Sequence, residues 1–286
     1  MVKIIYQALR GVFYTLKYKL SHNFRTKLGL NIEQRPFKLL VSLTTYPPRL
    51  SSVYLTIESL LNQTLKPDKI VLWLSALEIS PDDLPNNLLK LKNRGLEIRF
   101  VDENIGAYKK LIYAIQTLPD YHIVTCDDDL MYPKWFLADL HQSYLRHPDC
   151  ISAYRCRTML KLSERQFLSY NKWQFSRSQI PSYQIFSTNG GGTWYPPGSL
   201  NAKITDRLFM QLAPTGDDIW FKAMGLLNHT KTVMAKASSI DFPAINIQDS
   251  QAETLWQQNI YKNDAQLKAV FEHFDLYNLL EETLNN

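Results

Sequence analysis

The spacing of apolar residues changes twice along the chain. In residues 1–28, Ile4, Ile5, Ala8, Leu9, Val12, Phe13, Leu16 and Leu20 recur every three or four positions, which predicts an amphipathic helix with one apolar stripe. Basic residues, Gln7 and three tyrosines flank that stripe. Pro36 marks a boundary, after which short apolar runs predict strands at Lys38–Thr45, Lys69–Leu74, Leu96–Val101 and His122–Cys126. Between them, Val53, Leu55, Ile57, Leu60 and Leu61, and then Tyr108–Leu118, have helical spacing, while Pro81 and Pro85 sit in a polar loop. Strand alternating with helix at this interval predicts βαβ units and an α/β fold with a mainly parallel sheet flanked by helices. Thr44-Thr45-Tyr46, Ser75, Asp102 and Asp127–Asp129 all fall at predicted carboxyl strand ends, where such sheets bind ligands.

The second half is less regular. Helices are predicted at Lys134–Leu145, at Asp217–Leu227 behind an acidic start, and at Asp264–Leu280. The Gly190-Gly191-Gly192 and Pro196-Pro197-Gly198 turns bracket Trp194 and Tyr195. No internal repeat or low-complexity tract interrupts the pattern. The expected organisation is a basic helical segment, 1–32, and one domain over 33–286, a length that can bury a single large core.

Charge alters this picture at one end only. The chain carries +5, yet Lys3, Arg10, Lys17, Lys19, Arg25 and Lys27 precede the first acid, Glu33, so residues 1–32 hold +6 and the remainder −1. A near-neutral body without a nucleic-acid motif argues against a nucleic-acid partner. An acid-free amphipathic helix instead suits an anionic membrane surface, against which stands the alternative of a helix docked on the protein's own core. Three cysteines, Cys126, Cys150 and Cys156, without metal-ligand spacing fit a reducing, cytoplasmic setting, and the basic helix then places the chain peripherally on the inner face of the cell membrane.

The candidate chemistry centres on His122-Ile123-Val124-Thr125-Cys126-Asp127-Asp128-Asp129. A buried strand that ends in three adjacent carboxylates is electrostatically costly unless a cation sits among them. Hard oxygen donors suit Mg²⁺ or Mn²⁺, which characteristically shares one or two carboxylates with substrate phosphates. An acidic solvated turn is the competing reading.

Taken in order, Val41-Ser42-Leu43-Thr44-Thr45-Tyr46-Pro47, Asn104-Ile105-Gly106-Ala107-Tyr108-Lys109-Lys110-Leu111, Thr125–Pro133, Gly190–Gly198 and Pro214-Thr215-Gly216-Asp217-Asp218-Ile219-Trp220 resemble bacterial GT-A-fold glycosyltransferases of the family 2 type, over roughly residues 38 to 225. The resemblance implies a GT-A-like (Rossmann-like) fold, a nucleotide-sugar donor, Mn²⁺ or Mg²⁺, and transfer to a hydroxyl of a glycan or glycolipid acceptor, in surface polysaccharide or lipooligosaccharide synthesis. It implies Asp129 as principal metal ligand and Asp127 for ribose or metal, with Asp128 also at the donor and the register open by one residue. Tyr46 would stack on the base, Thr44 hydrogen-bond it, Asp102 approach the nucleoside and Lys110 the diphosphate. Asp217 and Asp218 match the catalytic-base position of inverting members, Asp218 first by register. Gly191 and Gly192 would let the backbone approach a ligand, with Trp194 and Tyr195 as an apolar floor for the acceptor sugar; a structural hairpin is the competing reading. His229 is a candidate extra metal or phosphate contact.

Two rival functions remain. A sugar-nucleotide nucleotidyltransferase would want a Gly-rich basic loop after the first strand, where this chain has Thr-Thr-Tyr-Pro-Pro. A non-catalytic carbohydrate-binding protein would have no need of two acidic clusters.

Overall fold

The computed structural model describes residues 2–237, 242–245 and 255–281. The chain divides into two compact units, Met1–Asp139 with Asp241–Ala252, and Leu140–Ile240 with Glu253–Asn286.

In the first unit, four apolar runs form the parallel strands β1 (Leu39–Thr44), β2 (Lys69–Ser75), β3 (Leu96–Val101) and β4 (His122–Cys126). They lie side by side in the order β4-β1-β2-β3. The central strands are rich in Leu, Ile and Val and are buried on both faces, as a parallel sheet covered by helices requires. Each strand coincides within a residue or two of the span its apolar run predicts. Helix α2 (Val53–Leu61) follows β1, and α3 (Lys109–Thr117) packs on β1, β2 and β4. Because β1 is flanked by β2 on one side and β4 on the other, the direction of winding reverses between β1 and β4. That reversal opens a crevice at the carboxyl ends of these two strands.

The N-terminal periodicity is helical as expected, α1 spanning Val2–His22, but the helix docks by an unexpected face. Gly11, Thr15, Tyr18 and His22, one face at spacings of four, three and four, are buried. His22 Nδ1 lies 2.8 Å from Glu58 Oε1 on α2, and Arg94 donates to the same oxygen at 2.6 Å, so the fully buried Glu58 carboxylate is held by both. Gly11 runs so close to the chain that a Cβ there would sit 2.7 Å from the Ala244 carbonyl oxygen. The apolar stripe turns outward: Leu9, Val12, Phe13, Leu16 and Leu20 are all exposed. The alternative of a helix docked on the protein's own core is thus met, though through the polar face and not through the stripe. The polar face, with a glycine and a histidine, complements the buried Glu58–Arg94 pair better than an aliphatic face would. The side chains of Ile4 and Ile5 lie outside the described residues.

The second unit is built from short pieces. Helix α4 (Phe136–Arg146) leads into β5 (Ile151–Ala153), which pairs in parallel with β11 (Thr232–Met234) and antiparallel with β10 (Thr193–Tyr195). Two small antiparallel pairs, β6 (Cys156–Thr158) with β9 (Ile185–Ser187) and β7 (Lys161–Ser163) with β8 (Gln166–Phe167), complete its strands among the described residues. Helix α5 spans Asp217–Leu227 as predicted. The expected helix Asp264–Leu280 is instead two, α6 (Leu255–His273) and α7 (Leu276–Glu281), broken where Asp275 adopts φ 49°. Phe167, Phe271 and Tyr277 pack ring against ring there, fixing the bend. Cys126, Cys150 and Cys156 are buried thiols.

Candidate functional site

The register between β1 and β4 explains the first half of the site. Leu43 lies level with Cys126, so, counting on along both strands, Thr45 comes level with Asp128 just past the sheet. Thr45 Oγ1 donates to Asp128 Oδ2 at 2.6 Å, and Arg49, at the end of the Pro47–Arg49 turn, donates to Asp128 Oδ1 at 2.7 Å. Thr56 Oγ1 also donates to the Asp128 backbone carbonyl at 2.9 Å. Asp128 is buried and both carboxylate oxygens are engaged, so its place is that of an anchor joining the ends of β1 and β4. The expected donor contact of Asp128 would have to share oxygens already engaged by Thr45 and Arg49.

Its two neighbours differ. The Asp127 and Asp129 side chains keep 33% and 35% of their surface exposed, enough to reach a ligand, where Asp128 keeps 8%. Lys110 Nζ donates to Asp127 Oδ1 at 2.9 Å, and Arg49 lies 3.1 Å from Asp129 Oδ2. Burial, together with the charges of Asp128 and Asp127, pushes the Asp129 carboxyl up to about 7, against the opposing pull of Arg49. Burial disfavours the Arg49 guanidinium, but Asp128 and Asp129 outweigh it and hold Arg49 protonated. The backbone is pinned as well. Asp127 N–H donates to Tyr132 Oη at 2.9 Å, and the Asp129 carbonyl accepts from Ile245 N–H at 2.7 Å.

The remaining first-unit candidates are distributed around this core. Tyr46 has the Arg49 guanidinium carbon 5.5 Å from its ring centroid, which ties it to the acidic run. Thr44 donates its hydroxyl to the Trp73 carbonyl at 2.8 Å, so that proton is already committed within the sheet. Lys110 is drawn in by α3, whose start is shaped by Gly106 at φ 59° and by Asn104, which accepts from both Gly106 N–H and Lys109 Nζ. Ser42 Oγ donates to the Lys110 carbonyl, fixing α3 against β1. Asp102 is exposed at the end of β3, separated from β4 by two intervening strands, and is not among the groups that contact the acidic run.

Among the described residues no group of three or more His, Cys, Asp or Glu side chains forms a ready-made metal cage. Asp127 and Asp129 present two carboxylates. Such a pair fits Mg²⁺ or Mn²⁺, which takes its other ligands from phosphate and water rather than from an all-protein cage.

In the second unit, Asp217 and Asp218 form the first turn of α5 behind Gly216, and both are half-buried. Thr215 N–H donates to Gln266 Oε1 of α6 at 3.0 Å, which fixes the turn preceding them. Burial and then the charge of Asp218 hold the Tyr170 phenol well above its usual range, opposed by Arg157 and Arg155. Asp218, Tyr170, Arg155 and Arg157 thus share one electrostatic neighbourhood. The glycine turn reaches the same place, because a Cβ on Gly191 would meet Arg155 Cβ at 2.4 Å. That close approach is to the chain's own backbone, and Gly192 is required by its φ of 87°. Trp194 is fully buried, with His141 and Tyr144 at 5.7 Å, and Tyr195 is buried with Phe221 across an edge at 6.3 Å. An exposed sugar platform from Trp194 and Tyr195 is therefore corrected to core packing, consistent with the hairpin alternative. His229 is an exposed turn residue at φ 52°.

Arg49, Thr45 (beyond its place in the strand-end Thr44-Thr45-Tyr46 turn) and Arg155 were given no role from sequence. For the first two a signal existed: residues just past one strand of a parallel pair must face those just past its neighbour. Arg155 carried none, since only the folded chain brings it against Gly191.

No protein-family model matches the chain, and no curated protein matches it. Among solved structures, the chain is similar to the mannosyltransferase PcManGT from Pyrobaculum calidifontis in complex with GDP-Man and Mn²⁺. The identity is 13% and the TM-score 0.46, over 98% of this chain and 84% of that one.

Proposed function

We propose that the chain is a metal-dependent, inverting glycosyltransferase that moves a sugar from a nucleotide-sugar donor to a hydroxyl of a glycan or glycolipid acceptor in surface-polysaccharide or lipooligosaccharide synthesis. The observation that carries the reading is the position of Asp127–Asp129 at the β1/β4 reversal of a parallel sheet ordered β4-β1-β2-β3, where α/β folds bind nucleotides. The motif order from Val41 to Trp220 supplies the reaction class.

Each side chain then has a task. Asp127 and Asp129 would hold Mn²⁺ or Mg²⁺, and that cation would supply charge neutralisation for a departing nucleoside diphosphate. Lys110, resting against Asp127, would turn to the diphosphate oxygens, while Arg49 stays on Asp128 and lends its charge to the site. Tyr46 presents its ring to the base. In the second unit, Asp218 accepts the proton of the attacking acceptor hydroxyl, and Asp217 complements the α5 dipole. A carboxylate base and a single displacement invert the anomeric centre.

Calorimetric binding of UDP and GDP with and without Mn²⁺ tests the reading. Binding should need Mn²⁺ in the wild type and vanish in Asp129→Ala, whose thermal stability should hold or rise because a repelled carboxylate is gone. Undiminished Mn²⁺-dependent binding in that variant overturns the assignment. Screening a panel of nucleotide sugars for slow hydrolysis then names the donor.

A further inference from the structure

We propose that α1 and the segment after it form a membrane-contact surface that lays the first unit on an anionic lipid bilayer without crossing it. The inference is independent of the catalytic reading. Two observations carry it together, the outward direction of the apolar stripe and the distribution of charge around it.

A soluble helix normally turns its apolar face to the core. Here the docking face is Gly11, Thr15, Tyr18 and His22, and at about 100° per residue the stripe Tyr6, Leu9, Phe13, Leu16 and Leu20 lies on the opposite side. Those five side chains are 54–70% exposed. Beyond the helix, Phe24 and Ile32, each 85% exposed, and Leu28, 47% exposed, are further apolar side chains left open to solvent. A stripe of exposed apolar side chains along one helix face marks an interaction site.

Charge identifies the partner. Lys17 projects on one flank of the stripe and Lys19 on the other, both exposed, and no acid occurs before Glu33. The fold adds cations that are distant in sequence. Lys90 Nζ reaches Asn23 Oδ1 at 3.4 Å, and the Lys27 carbonyl accepts from Arg94, so the Lys90–Arg94 turn lies against the segment that follows α1, with Lys90 and Lys92 exposed. An apolar stripe rimmed by lysines fits the acyl boundary below and anionic headgroups beside it. No helix among the described residues is long and apolar enough to cross a membrane, so the contact is interfacial. Because Glu58 fixes the docking face through His22, the stripe is displayed without any rearrangement.

Co-sedimentation of the full-length chain with vesicles tests the proposal. Binding is expected to phosphatidylcholine vesicles containing about a third phosphatidylglycerol, to fall steeply between low and high salt, and to be weak on pure phosphatidylcholine. Leu9→Gln/Phe13→Gln/Leu16→Gln/Leu20→Gln should lose at least about tenfold in affinity, since each removes a buried apolar side chain from the bilayer. Lys90→Glu/Lys92→Glu should weaken binding to anionic vesicles and leave binding to neutral ones unchanged. Both variants should keep the wild-type thermal midpoint, because the substituted side chains are exposed. Equal vesicle binding by the quadruple variant overturns the proposal. So does a wild type that ignores vesicles and forms a concentration-dependent dimer lost in that variant, which would make the stripe an interface between two copies.

Discussion

At the residue scale, three adjacent aspartates behave as three different groups. Asp128 is locked by Thr45 and Arg49, whereas Asp127 and Asp129 remain half-exposed with a cation beside each. Asp218, on a different element, stands beside Tyr170 and carries the proposed proton transfer. Asp218→Asn should leave nucleoside-diphosphate binding intact and slow transfer by about 10²–10⁴-fold, while Asp217→Asn should cost less. Unchanged turnover in both variants would exclude a carboxylate base on α5. A second residue effect concerns stability. Burial lowers the pKa of Lys222 from 10.5 to about 7, against a smaller opposing effect of Cys156, and Nζ donates to the Ile185 carbonyl at 2.8 Å. Between those values the unfolded chain holds a proton that the native chain does not. Stability attributable to Lys222 therefore rises with pH through that window and is lost as pH falls towards 7. Relative to Lys222→Met, the wild type should gain of the order of 2 kcal/mol between pH 7 and pH 9. Urea melts at the two pH values measure this, and parallel curves would refute it.

At the element scale, what matters is how strand ends and helix faces are tied. The link from Thr45 and Arg49 to Asp128 holds the end of β1 against the end of β4, at the place proposed for the diphosphate. Arg49→Met should cost roughly 3–5 kcal/mol, the usual effect of leaving one buried charge of a pair uncompensated. Asp128→Asn in the same background should recover part of that loss. Chemical denaturation of the single and double variants gives the coupling directly, and additive losses would show that the pair is not an anchor. The same logic governs α1: cutting off residues 1–28 would strip His22 and Arg25 from the buried Glu58, so exposed-face substitutions report on lipid binding more cleanly than truncation does.

At the scale of the whole molecule, the proposed function makes the metal part of the donor complex. If the metal belongs to the ligand complex and not to the fold, a chelator should abolish donor binding without unfolding the chain. With a nucleotide sugar and Mn²⁺ in excess, the thermal midpoint should rise by a few degrees. EDTA should return it to the ligand-free value and no lower. A midpoint that drops below that value would mean a structural metal instead.

The first-unit architecture was legible in the chain because continuous apolar runs and period-3.6 spacing are local signals and its strands run five to seven residues; β3 and β4 coincide with their apolar runs residue for residue. The acidic run and the paired aspartates of α5 were legible for a similar reason, since a carboxylate cluster at an element's end is a local signal. The second unit was not, because three-residue strands such as β5, β10 and β11 are too short to establish a period. Tertiary structure alone decided which aspartate of the three is buried, since that depends on the β1–β4 register bringing Thr45 level with Asp128. It alone turned Trp194 and Tyr195 into core residues and set Gly191 against Arg155, both consequences of packing between segments distant in sequence. It also chose the face by which α1 docks. The apolar stripe could be read from residues 1–28, but the buried Glu58 that claims the opposite face lies 36 residues beyond His22, where no local pattern reaches.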